Sequence, residues 1–250
     1  LCAAIVLFFV RFWGDLSTGT QVFVLVSTTL ALLAATDFAA RRERTLYYAS
    51  LLSLMTFGAF VLGLASVLVT LWILFTAFTL YFFRDPEPQP PTDLAAVLSP
   101  AHGTVDVVDE ATEEEFMGGR CKRISIFLNV FNVHVQRAPV TGKIVFHKHN
   151  EGEFLSATRS DCGEHNENVL LGFTPEQFPN AKLGVRLIAG LIARRIIVWA
   201  SAGEEVERSE RISLIQFGSR ADVYLPPDAR INCKLGDKVK GGETVLATFK

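Results

Sequence analysis

The chain has 250 residues, half of them hydrophobic, and its 24 Lys and Arg against 26 Asp and Glu leave a formal charge of −2. That length suits one or two domains. The near-even charge excludes a global basic field for nucleic acid, and the composition excludes disorder, collagen and a disulfide scaffold as the main state.

The average hides a split. Residues 1–83 carry seven charged side chains: Arg11, Asp15, Asp37, Arg41, Arg42, Glu43 and Arg44. Eleven of the 20 Phe lie in the same third. Residues 45–83 contain no charge at all, and as one helix they would run about 58 Å at 1.5 Å per residue. A bilayer core is about 30 Å thick, so two spans fit better than one. Gly58 and Gly63 offer a turn between them. The arginines at 41–44 and Arg84 flank this stretch, and a hairpin would return both flanks to the cytoplasmic side. Thr20–Thr36 and Leu1–Val10 are further apolar runs, and the chain starts at Leu1, which suggests a fragment. A buried helical core or a signal peptide would read similarly, but the apolar character continues for some 80 residues. The expectation for residues 1–83 is a membrane anchor of transmembrane helices, with the following domain cytoplasmic.

Residues 84–98 read as a stiff linker, because four of residues 86–91 are Pro. Beyond it, short alternating or β-branched runs recur at Arg123–Leu128, Val133–Arg137, Lys143–His147, Arg195–Trp199, Ile212–Phe217, Ala221–Leu225 and Thr244–Phe249. Leu183–Ala193 is helix or strand, with Gly184 and Gly190 interrupting it, and Thr112–Phe116 suggests a helical turn. The fold class is therefore mainly β, an antiparallel sandwich or barrel-like domain over 99–250 behind the helices. Its last segment, Leu235–Leu246, has the tight-turn pattern of lipoyl-type sandwiches, with glycines suited to positive φ. It lacks the carrier lysine of those proteins. Cys2, Cys121, Cys162 and Cys233 have no C-x-x-C spacing, so they read as packing residues and no metal site is expected.

Five blocks occur in order: F-F-R-D-P at 82–86, S-P-A-H-G at 99–103, F-N-V-H-V-Q-R-A-P at 131–139, I-A-G-L-I-A-R-R-I at 188–196 and F-G-S-R-A-D-V-Y-L-P at 217–226. Together with Glu164-His165-Asn166-Glu167, they make residues 80–250 resemble phosphatidylserine decarboxylase of the short bacterial and archaeal form. The resemblance implies a pyruvoyl enzyme that cleaves itself between Gly218 and Ser219. Ser219 supplies the β-oxygen for an ester that is then eliminated, leaving a pyruvoyl group on the C-terminal piece. His134 is the implied base, oriented by an acid as in a catalytic triad. The pyruvoyl group then serves as an electron sink for decarboxylation. The implied partners are a phospholipid in the membrane and the chain's own two fragments, held as a heterodimer; no nucleic acid is implied, and homo-oligomerisation is left open.

Arg84, Arg195 and Arg220 are candidates for substrate phosphate or carboxylate, as is Arg194, although 194 and 195 face opposite sides of a strand. Asn166 and Glu167 are candidates for substrate binding or simply cap a turn. His147 and His149 read as surface residues. One departure stands out: His102 occupies the position of the family's triad Asp, and a neutral imidazole supplies no ion pair to a protonated His134. Asp85, Asp106 or Asp222 could supply the charge instead. The histidine that longer members carry three residues before His134 is Phe131 here. Three other readings remain open: an archaetidylserine-type decarboxylase, a processing-impaired non-catalytic lipid-binding relative, and a lipoyl-type carrier or export adaptor.

Overall fold

The computed structural model describes residues 46–155, 162–190, 195–216 and 219–249, with 19–21, 23, 24, 26–28, 30, 31 and 34; residues 46–52, 162 and 164 are described by backbone alone. The chain divides into two compact units, Leu1–Phe78 and Thr79–Lys250. The apolar run Leu1–Val10 lies outside the described residues, as does much of Thr20–Thr36, in which helix Gly19–Thr28 is recorded.

Helix α1, Leu46–Phe82, is 37 residues long and passes unbroken through Gly58 and Gly63. The expected hairpin turn does not form there, so this helix does not return its two flanks to one side. Leu, Ala and Met are strong helix formers, no Pro intervenes, and isolated glycines are tolerated at modest cost. Its hydroxyls bond back within the helix: Ser66 to the Gly63 carbonyl at 2.9 Å, Thr70 to that of Ser66 at 2.9 Å and Thr76 to that of Trp72 at 2.8 Å. Polar groups satisfied this way are compatible with an apolar medium. Within the helix, Ser53–Phe82 has the length and mean hydropathy, 2.3, of a membrane span. The helix stops just before the proline-rich segment, which cannot extend it.

The second unit is β. Fourteen strands are described: β1 Ala96–Leu98, β2 Gly103–Glu113, β3 Gly119–Leu128, β4 Val135–Arg137, β5 Gly142–Asn150, β6 Asn168–Pro175, β7 Leu183–Ala189, β8 Ile196–Val198, β9 Glu205–Val206, β10 Arg211–Ile215, β11 Ser219–Leu225, β12 Arg230–Ile231, β13 Lys238–Val239 and β14 Val245–Thr248. A short helix α2, Cys162–His165, precedes β6. The strands form antiparallel sheets ordered β1-β14-β12, β4-β10-β8 and β13-β2-β3-β11-β7-β6-β5-β9. The expected mainly antiparallel domain is therefore what forms. Leu183–Ala189 is strand, and Thr112–Phe116 is the end of β2 followed by a turn.

One expectation about a segment shifts. The last residues of the expected linker form β1, buried and paired with β14. The preceding prolines are tied down as well, since Arg208 donates to the carbonyls of Asp93 and Pro91. The C-terminal turn signature behaves as expected, with Gly236 at φ 88° and Gly242 at φ 77°, values costly for any residue with a Cβ.

The core lies between the sheets. On β11, side chains alternate, so Ser219, Ala221, Val223 and Leu225 share the core side while Arg220, Asp222 and Tyr224 take the other. The second face is covered too: Tyr224 packs with Phe116, Cys121 and Leu170. Every residue of β11 is consequently buried. Cys121 is a buried free thiol and Cys233 a half-buried one, which agrees with packing roles; the side chains of Cys2 and Cys162 lie outside the described residues.

Candidate active site

Strand pairing brings the predicted residues toward one end of the central sheet. Ser219 opens β11 and faces Leu128, the last residue of β3, on one side and Ala189, the last of β7, on the other. From Leu128 the chain makes a turn through residues 129–132 and delivers His134. The His134 carbonyl accepts the Ile215 N–H at 3.2 Å, and Leu214 pairs with Val135. The segment entering His134 and the segment entering Ser219 are thus neighbours. Phe217 and Gly218 lie outside the described residues.

Ser219 is fully buried, and its Oγ has no hydrogen-bond partner among the described residues. A buried hydroxyl without a partner costs about 1–3 kcal/mol, which a purely structural serine would avoid. This is the environment of a nucleophile. It also fits the precursor of a pyruvoyl group, which needs a β-oxygen free of structural duty.

His134 is also fully buried. Its Nδ1 lies 2.9 Å from the Asn132 carbonyl, an acceptor only, so Nδ1 carries the proton and Nε2 the lone pair. Phe82, the last residue of α1, lies against the ring at 4.2 Å between centroids. Burial holds the imidazole down to about 4; the Asn132 bond opposes this and the Arg84 charge adds to it. At neutral pH the ring is therefore uncharged and able to accept a proton.

His102 is half-buried beside a different turn. Its Nδ1 accepts the Gly241 N–H at 3.1 Å. Burial lowers its pKa, Glu243 pulls the other way, and Arg84, Arg137 and Lys240 add to the lowering. Arg84 is thus the charge that both histidines feel. Its guanidinium donates to the Tyr81 and Phe131 carbonyls, each at 2.7 Å, and stacks 3.8 Å over the Tyr81 ring. Of the alternative carboxylates, Asp85 is bound by Arg137 and by Arg211, the latter at 2.5 Å. Asp106 pairs with Arg220. Asp222 is buried in the ladder between Ser125 and Arg186, and burial pushes its carboxyl up, as it does that of Asp106.

The remaining candidates divide. Arg220 is 3% exposed and engaged with Asp106. Asn166 is buried with every polar atom in use: Oδ1 accepts the Leu155 N–H at 2.9 Å, and Nδ2 donates to the Leu155 carbonyl at 2.8 Å and to that of Ala189 at 2.7 Å. Since Ala189 is the ladder partner of Ser219, Asn166 buttresses the site. Glu167 faces His149 at 3.0 Å near the surface, and His147 is exposed. Arg195 is exposed, its carbonyl 3.3 Å from the Gln216 N–H; Arg194 lies outside the described residues. Sequence reasoning missed Phe82 and Asn132 as contacts of the His134 ring, although both lie inside the quoted blocks.

The sequence of this chain matches known proteins. The family model for phosphatidylserine decarboxylase matches residues 75–247. The chain belongs to the phosphatidylserine decarboxylase family. The phosphatidylserine decarboxylase proenzyme of Desulfotalea psychrophila is 44% identical over 180 residues, covering 72% of this chain and 83% of its own. That of Pelobacter propionicus is 47% identical over 178 residues, 70% of this chain and 79% of its own. That of Symbiobacterium thermophilum is 39% identical over 206 residues, 82% and 93%. As a member of this decarboxylase family the chain is a carboxy-lyase, and the matched residues hold Ser219, His134, His102 and Arg84 together.

Proposed function

We propose that the chain is a proenzyme that cleaves itself between Gly218 and Ser219 and then, at a membrane, converts phosphatidylserine to phosphatidylethanolamine and CO2. The observation that carries this reading is the buried Ser219 hydroxyl at the head of β11, without a partner among the described residues. His134 Nε2 takes the proton as Ser219 Oγ attacks the Gly218 carbonyl carbon; the C–N bond breaks and Gly218 becomes an ester on Ser219. Loss of the Ser219 Cα proton then expels the Gly218 carboxylate. Water hydrolyses the remaining dehydroalanine, releasing ammonia. The resulting pyruvoyl group, when formed, supplies an electron-withdrawing carbonyl for the carbanion left by CO2.

The chain's own residues prepare both stages. The Asn132 carbonyl fixes the His134 tautomer, and Phe82 keeps water off one ring face. Arg84 is a cation whose charge reaches His134 and suits the lipid phosphate or the substrate carboxylate. Asn166 supports the strand end beside Ser219 rather than touching substrate. The apolar helix Ser53–Phe82 supports a membrane location, which is where a lipid substrate is met.

The test is the intact mass of the purified full chain. Fragments 1–218 and 219–250 are expected, the smaller one lighter by one ammonia than the peptide beginning with serine. A C-terminal fragment that begins with serine would rule out the pyruvoyl chemistry. A chain that stays whole on prolonged incubation would favour the processing-impaired relative.

A further inference from the structure

The turn that separates β3 from His134 carries an exposed aromatic ring. Its shape is held from inside. The Asn129 N–H donates to Asn132 Oδ1 at 2.9 Å, the Phe131 N–H donates to Asn129 Oδ1 at 2.9 Å, and the Asn132 N–H donates to the Asn129 carbonyl at 3.0 Å. A turn braced this way has little freedom to fold its side chain back, and Phe131 stands 62% exposed. Its carbonyl is gripped by Arg84 Nη2 at 2.7 Å and by the Tyr81 hydroxyl at 3.3 Å. Tyr81 and Phe83 are exposed themselves, on either side of the buried Phe82. Three exposed aromatic rings thus gather around one arginine where α1 ends.

We propose that Phe131, with Tyr81 and Phe83, inserts into the bilayer interface and seats the catalytic unit at headgroup depth. The occupant is a lipid surface because the patch is continuous with a helix suited to lipid. Ser53–Phe82 is apolar on all sides and stops at Phe82, so Tyr81–Arg84 mark the passage from apolar to polar medium. Aromatic rings and arginine are the residues that favour that boundary. The Phe131 carbonyl is bonded to two of those four residues, which puts its ring at the same level. The functional consequence comes from what the turn joins. Leu128, at one end, is the ladder partner of Ser219, and His134 lies just past the other. A turn resting among headgroups places the reacting residues where a phospholipid headgroup arrives, without lifting the lipid out of the membrane.

This inference rests on reading Ser53–Phe82 as a span, and the experiment separates the two. The full chain is reconstituted in phosphatidylcholine vesicles with the photoreactive residue p-benzoylphenylalanine replacing Phe131 in one preparation and Trp72 in another. Trp72 lies within the span and is exposed. After irradiation, a chain heavier by one phospholipid is expected from both. A lipid adduct at 72 with none at 131 overturns the seating of the turn and leaves the span intact. No lipid adduct at 72 overturns the span reading itself. A covalent dimer through position 131 overturns the proposal in favour of a second copy as the occupant. The same probe in place of Phe83 repeats the test if the chain altered at 131 is not recovered, and absence of a lipid adduct there counts equally against the proposal.

Discussion

The ring of His134 lies 4.2 Å, centroid to centroid, from the ring of Phe82, tilted by 31°. The His134 imidazole is therefore sheltered by the last residue of the apolar helix, 52 positions earlier in the chain. Replacing Phe82 with Ala should admit water to the imidazole and raise its pKa from about 4 toward the ordinary value near 6.5. The lost packing should also cost about 3 kcal/mol of stability. Histidine NMR titration and thermal melting read the two effects; a titration unchanged in Phe82→Ala would mean that other groups keep His134 dry.

Acid should remove the stability contributed by the buried neutral His134. The folded pKa of His134, about 4, lies below the unfolded value, so below neutrality the unfolded chain binds the extra proton. The stability is present above about pH 6.5 and lost as pH falls toward 4, a contribution on the order of 3 kcal/mol. His102, also lowered by burial, acts in the same direction. Denaturant midpoints between pH 7 and 4 check this, and the slope should shrink in His134→Gln.

Ser219→Ala should abolish cleavage and decarboxylation, because no β-oxygen remains. It should not destabilise the fold, since the hydroxyl removed is buried without a partner among the described residues. Ser219→Thr keeps the oxygen and should retain slow processing to a ketobutyryl group. Gel analysis and melting of the two variants suffice, and cleavage in Ser219→Ala would move the scissile bond elsewhere.

His102→Asp should speed maturation at least tenfold. Position 102 and His134 share the field of Arg84, which disfavours an imidazolium. A carboxylate there offsets that charge, and a gain of about 1.4 kcal/mol in the barrier is tenfold in rate. Time courses of band splitting decide it; equal rates would mean that position 102 has no electrostatic part in maturation.

Asn166→Leu should cost about 2–4 kcal/mol, because it strands the Leu155 N–H and two carbonyls. Chemical denaturation measures it. If the variant lost activity through substrate binding alone, stability would be unchanged.

Much of this was legible. The alternation at Arg123–Leu128 and Ala221–Leu225 marked two strands, β3 and β11, and the block containing Gly218-Ser219 named the candidate site. β2 escaped because its register shifts between Val105 and Val107, which breaks the alternation, and because Asp109 and Glu110 lie on its exposed stretch. β6 escaped because six of its first residues are buried on both faces, so no period shows. Gly184 suggested a break in β7, yet it accommodates Tyr224, whose Cβ would sit 3.3 Å from an added side chain. Gly58 and Gly63 suggested a turn that a long apolar helix has no need to make. The Phe82–His134 contact joins segments far apart in sequence, and no local pattern announces it.

β11 has a neighbour on both sides, β3 and β7, in an eight-stranded sheet. The proposed cut just before it would define a 32-residue piece that also supplies β12, β13 and β14, each laced to strands on the longer piece or to one another. Severing the peptide bond removes none of these ladders. Under the proposed cleavage the two products would be interlocked by backbone bonds rather than docked face to face, so dilution would have no purchase on them and only unfolding the sheet would release the shorter one. The new chain end that this cleavage would create lies on a strand paired at both edges, so the fold would keep it in register without a covalent tether to the rest.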